Sequence, residues 1–170
     1  MKILETERAI LRQVTKDDDE FVLDLLNQPS FIKYIGDRNV RTINQARDYI
    51  ESRFTASYKK FGFGLWSVEL KETDTTVGIC GFVKRDSLPE ADIGFAFLPQ
   101  YEKKGYAFES ASVALRYGES SLNFKHILAV TSQDNESSGK LLGKLDFKFE
   151  RLIVLPDVNE EVKLFSYTAP

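Results

Sequence analysis

Short segments of alternating apolar and polar residues recur along this chain, and stretches with helical spacing separate them. The alternation predicts seven strands, at 7–12, 65–70, 76–83, 92–98, 125–131, 147–155 and 160–168. Pro99 prevents the fourth strand from continuing, and Pro156 with Asp157 forms the predicted turn between the last two.

Apolar residues three or four positions apart predict the helices between these strands. Thr15 is a good N-cap for a helix that stops near Pro29, and Thr42 is one for a longer helix that ends before Phe61. A short helical turn at 30–34 and helices at 106–120 and 135–145 complete the pattern. The order of elements predicts an α/β fold, a mixed sheet with helices on both faces, in a single domain of residues 1–170.

The composition removes several classes of protein. The net charge of −3 gives no general attraction to nucleic acid or anionic lipid. Residues 1–8 lack the apolar stretch of a signal peptide, and no apolar run approaches the ~20 residues of a membrane-spanning helix. A cytoplasmic protein without a membrane or nucleic-acid partner is therefore expected. Cys80 and His126 are the only residues of their types, which excludes a Cys/His metal site.

The acidic run at 17–20 has two interpretations. It could be imagined as a metal site, but it follows a predicted N-cap, where negative charges suit the positive end of a helix dipole. The helix start is the favoured interpretation.

The segment from Asp92 to Ala111 carries the strongest chemical signal. A strand containing Ile93, Phe95 and Phe97 is followed by a short polar loop with Gly105, and then by a helix. A helix start offers unpaired N–H groups to an anion, and glycine lets a phosphate approach the backbone. Neither the dinucleotide-binding nor the ATP-binding glycine motif fits. On its own, the loop is equally compatible with an ordinary strand–turn–helix.

Five segments in the same order together resemble the GNAT (GCN5-related N-acetyltransferase) superfamily, most closely its ribosomal-protein N-terminal acetyltransferase (RimJ/RimL-type) branch. Their counterparts in that branch are "L-x-T-x-R-L-x-L-R", "x-I-G-x-x-G", "E-I-G-Y", "Y-W-G-K-G-Y-A-T-E-A" and "N-x-x-S-x-x-L-L-x-K-L-G-F". The matching segments of this chain are 4–12, 76–81, 92–95, 101–110 and 135–147. The resemblance covers nearly the whole chain and implies a mostly antiparallel sheet of about seven strands.

Three residues depart from the family pattern. Glu102 stands where the family has Gln, Arg or an aromatic residue, and it brings a negative charge toward a phosphate site. Lys103 replaces a glycine and reduces the freedom of the backbone. Asp146 replaces the glycine after the last helix, and Asp tolerates a left-handed conformation better than most residues, so the turn is expected to persist.

The resemblance implies that acetyl-CoA is the cosubstrate and that no metal is used. It assigns the pantetheine arm to the strand backbone at Phe95, Ala96 and Phe97, and to Asn135 and Ser138. It assigns the pyrophosphate to the backbone of the loop and first helical turn, at Glu102, Lys103, Lys104, Gly105, Tyr106, Ala107 and Phe108. By sequence physics alone Asn135 is a good N-cap, and Lys103 and Lys104 could be a solvated basic corner.

The same resemblance suggests two catalytic residues. Asp92 lies where many relatives carry a carboxylate that acts as a base through water, although the plainer interpretation is an exposed strand-edge acid. Ser138 is a candidate proton donor near the thiol sulfur. The tyrosine that many members of the wider superfamily use is absent, because no tyrosine lies between Tyr117 and Tyr167.

Other candidate residues have a plainer interpretation. His126 is expected to be structural or exposed and Cys80 to be a core residue. Core packing is the leading interpretation for three aromatic residues, with lining of an acceptor pocket as the alternative: Phe61, Phe63 and Trp66. Tyr34 and Arg38 are further possibilities on the acceptor side.

These observations favour an N-acetyltransferase that moves acetyl to a primary amine by direct attack. The acceptor is a protein N-terminus or a small-molecule amine, and the chain is a monomer or homodimer. Two alternatives stay open, because a fold does not by itself establish a function. One is a module that binds or senses acetyl-CoA without catalysis, and the other is a structural or protein-partner role.

Overall fold

The computed structural model describes residues 1–156 and 158–170, so Asp157 of the predicted turn lies outside the described residues. In the described part of the chain eight strands form one sheet: β1 Lys2–Glu5, β2 Ala9–Gln13, β3 Leu65–Leu70, β4 Thr76–Val83, β5 Asp92–Phe97, β6 His126–Ser132, β7 Lys148–Val154 and β8 Glu161–Thr168. The α-helices are α1 Asp19–Leu26, α2 Pro29–Tyr34, α3 Ile43–Tyr49, α4 Ala56–Phe61, α5 Tyr106–Ser120 and α6 Glu136–Lys144.

The predicted α/β fold is confirmed, with one more strand than expected. The predicted strand at 7–12 is in fact the second arm of a hairpin, in which Glu5 pairs with Ile10 and Lys2 with Arg12. The first arm, β1, has four residues with charged ends, so its alternation is too short to be recognised in the sequence.

The strand order is β1-β2-β3-β4-β5-β6-β8-β7. All neighbouring pairs are antiparallel except β5 and β6, which are parallel and in register only at Asp92 and Leu128. The Leu128 N–H donates to the Ala91 carbonyl at 3.0 Å. Beyond this contact β5 and β6 are not paired, so a gap opens toward their carboxyl ends.

Helices cover both faces of the sheet. On one face α5 and α6 pack over Trp66 and Phe82, whose ring centroids are 6.1 Å apart in an edge-to-face arrangement. On the other face α1 to α4 form a second core around Ile50 and Ile79. Trp66 is 1% exposed, and Phe63 contacts Phe82 edge-on, so the core role expected for both is confirmed.

The acidic run begins a helix, as predicted, and its buried members bind arginines. Asp18 accepts two hydrogen bonds from Arg12, at 2.9 and 2.8 Å, and one from the Thr15 N–H at 2.9 Å. Asp19 accepts from Nε of Arg47 at 2.7 Å. Asp18 therefore holds the start of α1 against β2 of the sheet, and Asp19 holds it against α3.

The helix capped by Thr42 is not a regular α-helix throughout. A π-helical stretch, Ile50–Thr55, connects α3 to α4. The inward-facing residues Ala46, Ile50, Phe54 and Tyr58 are four positions apart, and on a regular α-helix each such step drifts by about 40°. The wider turn reduces this drift. Tyr58 thereby stays directed at the sheet, where its hydroxyl accepts from the Val14 N–H and donates to the Leu65 carbonyl.

Candidate functional site

The loop before α5 has the backbone of an anion-binding site. After β5 the chain makes a 3₁₀ turn at Pro99–Tyr101 and then adopts left-handed conformations at Lys103 (φ 60°) and Gly105 (φ 85°). Tyr106 begins α5 directly afterwards. The first N–H groups of a helix have no acceptor within the helix, so those at the start of α5 are available to an anion. The loop can thus receive a phosphate through its backbone.

The turn between β1 and β2 holds this loop in place. Arg8 Nη2 donates to the Lys104 carbonyl at 2.9 Å, and the guanidinium lies 4.2 Å from the centre of the Tyr106 ring. Arg8 Nε also donates to Glu109 Oε1 at 2.9 Å. A Cβ atom at Gly105 would lie 3.2 Å from Arg8 Nη2, so a side chain there would press on the anchoring guanidinium.

Glu109, in the first turns of α5, is the centre of this contact. It accepts hydrogen bonds from the Thr6 hydroxyl and the Arg8 N–H as well as from the guanidinium. Partial burial opposes ionisation, but the bonds from Thr6 and Arg8 outweigh it and hold the pKa of Glu109 below its ordinary value. Sequence reasoning missed this link. All three residues lie in segments that resemble the family: Thr6, Arg8 and Glu109. The one indication of the contact in the sequence is the opposite charge of Arg8 and Glu109, which are about a hundred residues apart.

The edge of β5 that faces β6 is available beside the loop. Ala96 pairs with Ile79 and Phe95 with Cys80 on the β4 side, while the β6 side is unpaired beyond Asp92 in the described residues. Phe95 and Ala96 are half-buried, whereas Phe97 is 8% exposed and belongs to the core. The free backbone groups of this edge can pair with an extended ligand.

The start of α6 lies at the carboxyl end of β6, on the other side of the gap. Asn135 Oδ1 accepts from the Ser138 N–H at 3.3 Å, so the predicted N-cap is confirmed. Ser138 is half-buried and lies one turn before Leu142, which is 1% exposed, so both face the sheet. Two helix starts therefore flank the open end of the gap.

Asp92 lies at the closed end of the gap. Its side chain is buried, so the alternative of an exposed strand-edge acid is wrong, and Oδ2 accepts a hydrogen bond from Arg85 Nε at 2.9 Å. Five residue steps of β5 separate Asp92 from Phe97, a distance of about 16 Å. The loop and this carboxylate are therefore at opposite ends of the gap, as the two ends of an extended ligand would require.

Comparison with known proteins identifies the family of this chain. The model for the acetyltransferase (GNAT) domain matches residues 8–148. The chain belongs to the GNAT acetyltransferase family. It is therefore an acyltransferase enzyme, and acetyl transfer is its reaction class.

Individual relatives agree with the RimJ/RimL-type branch. The uncharacterised N-acetyltransferase YoaA of Bacillus subtilis is 34% identical over 89% of this chain and 85% of its own length. The ribosomal protein uS5 alanine N-acetyltransferase of Escherichia coli is 31% identical over 62% of this chain and 54% of its own. A structure of RimL, a ribosomal L7/L12 N-acetyltransferase in complex with coenzyme A, has a TM-score of 0.84 over 99% of this chain and 98% of that one. At 12% identity this last match shows the fold.

The single cysteine of the acetyltransferase is a core residue, and its single histidine is at the surface. Cys80 is buried on β4, and burial raises its pKa to about 12, so the thiol is not nucleophilic. His126 is exposed, with Nδ1 3.2 Å from the Thr168 hydroxyl. Both expectations for these residues are confirmed.

The acceptor-side candidates are dispersed. Phe61, at the end of α4, is 36% exposed, so the core packing expected for it is wrong; its ring stacks on Phe63 from the surface, with centroids 5.6 Å apart. Tyr34 ends α2, with Lys33 Nζ 4.9 Å from its ring centre, and Arg38 is exposed in the following loop. Among the described residues, neither of these ring contacts includes a residue of β5, β6 or α6, and a role in acceptor binding stays a prediction.

Two negative findings concern the described residues alone. Among residues 1–156 and 158–170, no cluster of three or more His, Cys, Asp or Glu side chains could hold a metal ion. In the same residues, no helix combines the length and apolar character needed to cross a membrane.

Proposed function

We propose that this acetyltransferase takes acetyl-CoA as its cosubstrate and transfers the acetyl group to a primary amine. The observation that carries the proposal is the juxtaposition of an anion-binding helix start with the free edge of β5. Coenzyme A has a pyrophosphate and an extended arm that contains amides. The first fits the loop and the second fits a strand edge.

The residues of the loop fit the pyrophosphate mainly through their backbone. The N–H groups of Lys103 to Phe108 supply the donors, and the αL conformation at Gly105 gives the anion close access. Lys103 and Lys104 add positive charge, while the exposed Glu102 adds a negative one. Arg8 and Glu109 compensate each other and act as an anchor for the loop.

The arm of the cosubstrate would pair with the backbone of Phe95, Ala96 and Phe97, and would pass Asn135 and Ser138 on the β6 side. Its acyl end would then point from the loop toward Asp92. This direction follows from the chain itself, because the gap is open at the loop and closes at the contact between Asp92 and Leu128.

Acetyl-CoA supplies the acetyl group as a thioester, so a C–N bond to the amine forms as the C–S bond breaks. The residues of this chain would manage the two protons. Asp92 would accept the proton of the attacking amine through a water molecule, and the Ser138 hydroxyl would donate one to the departing sulfur and regain it from solvent.

Comparing the kcat of Ser138→Ala with that of the exposed neighbour Ser137→Ala tests the role of Ser138 as a proton donor. Equal kcat values would remove Ser138 from the mechanism.

The acceptor is proposed to be a protein N-terminus or a small-molecule amine. A protein N-terminus is supported by the similarity to the ribosomal protein uS5 alanine N-acetyltransferase. A panel of an N-terminal peptide, an amino acid, a polyamine and an aminoglycoside, with thiol release as the readout, tests the proposal. CoA release with at least one amine is expected, and no release above the spontaneous rate with any of them would argue against it.

A sensing module that binds acetyl-CoA without turnover is the second candidate. The ion pair between Arg85 and Asp92 supports it, since the carboxylate is already engaged by a guanidinium. Glu102 supports the same candidate, because it brings a negative charge to the loop. Calorimetry separates the candidates, because binding of acetyl-CoA without thiol release identifies a sensor.

A further inference from the structure

Two buried hydroxyl groups of the acetyltransferase have no hydrogen-bond partner among the described residues. They are Oγ of Ser110 on α5 and Oγ1 of Thr131 on β6. Buried polar groups are normally paired, and leaving one unpaired destabilises the folded state. Each of the two therefore needs a physical explanation, and their positions in the fold differ.

Thr131 lies in the part of β6 that borders the gap. It is three residues beyond Leu128, the last residue of β6 that is in register with β5, and on its other side it pairs with Lys163 of β8. Alternation along the strand directs Thr131 to the same face as Ile127 and Ala129, which are buried beneath the helices. Its hydroxyl thus lies on the helix-covered face, at the open part of the gap.

The start of α6 lies over this part of β6. Only the loop 133–135 separates β6 from α6, and the Asn135 N–H donates back to the Ser132 carbonyl at 3.2 Å. Ser138 faces the sheet from the first turn of the helix, and Thr131 faces the helix from the sheet. Both hydroxyl groups therefore lie on the helix-covered face, beside the open part of the gap.

Ser110 has a different environment. Tyr117 is seven residues further along α5 and therefore on the same face. Its ring centroid is 5.6 Å from that of Trp66 on β3. The preceding residue, Glu109, contacts Thr6 in the turn between β1 and β2. Ser110 is accordingly directed toward the β3 side of α5, away from the gap.

We propose that the Thr131 hydroxyl is a binding group for an amide of the pantetheine arm. The inference rests on the proposed function, since it requires acetyl-CoA in the gap. A hydroxyl both donates and accepts, so it can pair with either the N–H or the C=O of a secondary amide. The free edge of β5 pairs with one side of the arm, and Thr131 serves the side that faces β6 and α6.

Calorimetric titration of CoA into the full-length protein tests the inference without relying on activity. Thr131→Val keeps the shape of the side chain and removes the hydroxyl, and we expect the Kd for CoA to rise about tenfold. Thr131→Ser keeps the hydroxyl and should restore most of the affinity. Ser110→Ala is the matched control, because it removes the other unpaired hydroxyl and should leave the Kd unchanged.

Thermal unfolding of the ligand-free proteins supplies a second readout. Removal of an unpaired buried hydroxyl should raise the Tm of both Thr131→Val and Ser110→Ala. A lower Tm for Thr131→Val would mean that the hydroxyl has a structural partner, which would overturn the inference. An unchanged Kd in Thr131→Val, with CoA bound by the wild type, would overturn it as well. Failure of the wild type to bind CoA would instead refute the proposed function.

Discussion

Arg8 and Lys104 are 96 positions apart in the sequence, and the Arg8 guanidinium donates to the Lys104 carbonyl at 2.9 Å. The contact attaches the hairpin of β1 and β2 to the loop that we assign to the cosubstrate pyrophosphate. It uses a backbone acceptor, so it fixes the path of the loop without depending on which side chain stands at position 104. The same guanidinium also donates to Glu109, and this second bond attaches the hairpin to α5.

Arg8→Ala should weaken CoA binding about tenfold, because the loop loses its anchor and the negative charge of Glu109 beside the anion site is no longer compensated. The free energy of unfolding should fall by no more than about 1 kcal/mol, since the pair is partly exposed. Calorimetry and urea unfolding measure the two effects. The control is Arg116→Ala, because Arg116 is an exposed arginine on α5, the helix that carries Glu109. Equal losses of affinity in both variants would point to net charge alone.

Lys103→Gly should stabilise the protein by up to about 1 kcal/mol, because Lys103 has φ 60° and glycine adopts this conformation without steric cost. Lys104→Gly removes the same charge from a residue outside the left-handed region, so it should be destabilising. Urea unfolding of both variants isolates the conformational effect from the electrostatic one. If the two variants shifted in the same direction, strain at Lys103 would not be the explanation.

The stability contributed by Glu109 should depend on pH. Its pKa is lowered in the folded protein, so the contribution is fully present above the ordinary value of 4.5 and is lost as the pH falls through the folded value. Unfolding of wild type and Glu109→Gln should therefore differ most above pH 4.5 and converge in more acidic solution. The exposed Glu7→Gln serves as the control. A difference that stayed constant down to the acidic limit would exclude this linkage.

Asp92→Asn should lower kcat by at least about a hundredfold if the carboxylate is the base, since general-base catalysis contributes on that order. The Kd for CoA should change little, because Asp92 is at the far end of the gap from the loop. The exposed Asp86→Asn, in the same loop as Arg85, controls for a general change in charge. Steady-state kinetics with the amine that is turned over fastest measure kcat for both variants. A kcat of Asp92→Asn within a few-fold of the wild type would favour a structural role for the ion pair between Asp92 and Arg85.

Local patterns predicted much of the fold. The strands Leu65–Leu70 and Thr76–Val83 and the helix Tyr106–Ser120 have the predicted bounds, because the spacing of apolar residues and the turn residues beside them identify each element. β1 was missed, since four residues with charged ends carry too little pattern. The substitution at Asp146 behaves as expected from its side chain, with φ 68° in the left-handed turn.

The site was harder to predict, because its parts meet only in the folded chain. Gly105 and Asn135 have local signatures, a glycine before a helix and an N-cap, and both lie where those signatures predict. The contact of Arg8 with Glu109 has no local signature, since a charged pair separated by about a hundred residues is indistinguishable from other surface charges. The unpaired hydroxyl of Thr131 depends on what surrounds a strand residue, which alternation alone does not specify.

The central claim is that the loop around Gly105 binds acetyl-CoA for transfer to an amine, and paired kinetics of two glycine variants test it most directly. Gly105→Ala puts a Cβ at a residue with φ 85°, 3.2 Å from Arg8 Nη2, whereas a Cβ at Gly143 meets no atom within 4 Å. With thiol release as the readout, the wild type and Gly143→Ala should turn over at least one primary amine with the same KM for acetyl-CoA. Gly105→Ala should raise that KM about tenfold or more. No thiol release from the wild type, or an unchanged KM in Gly105→Ala, would contradict the account.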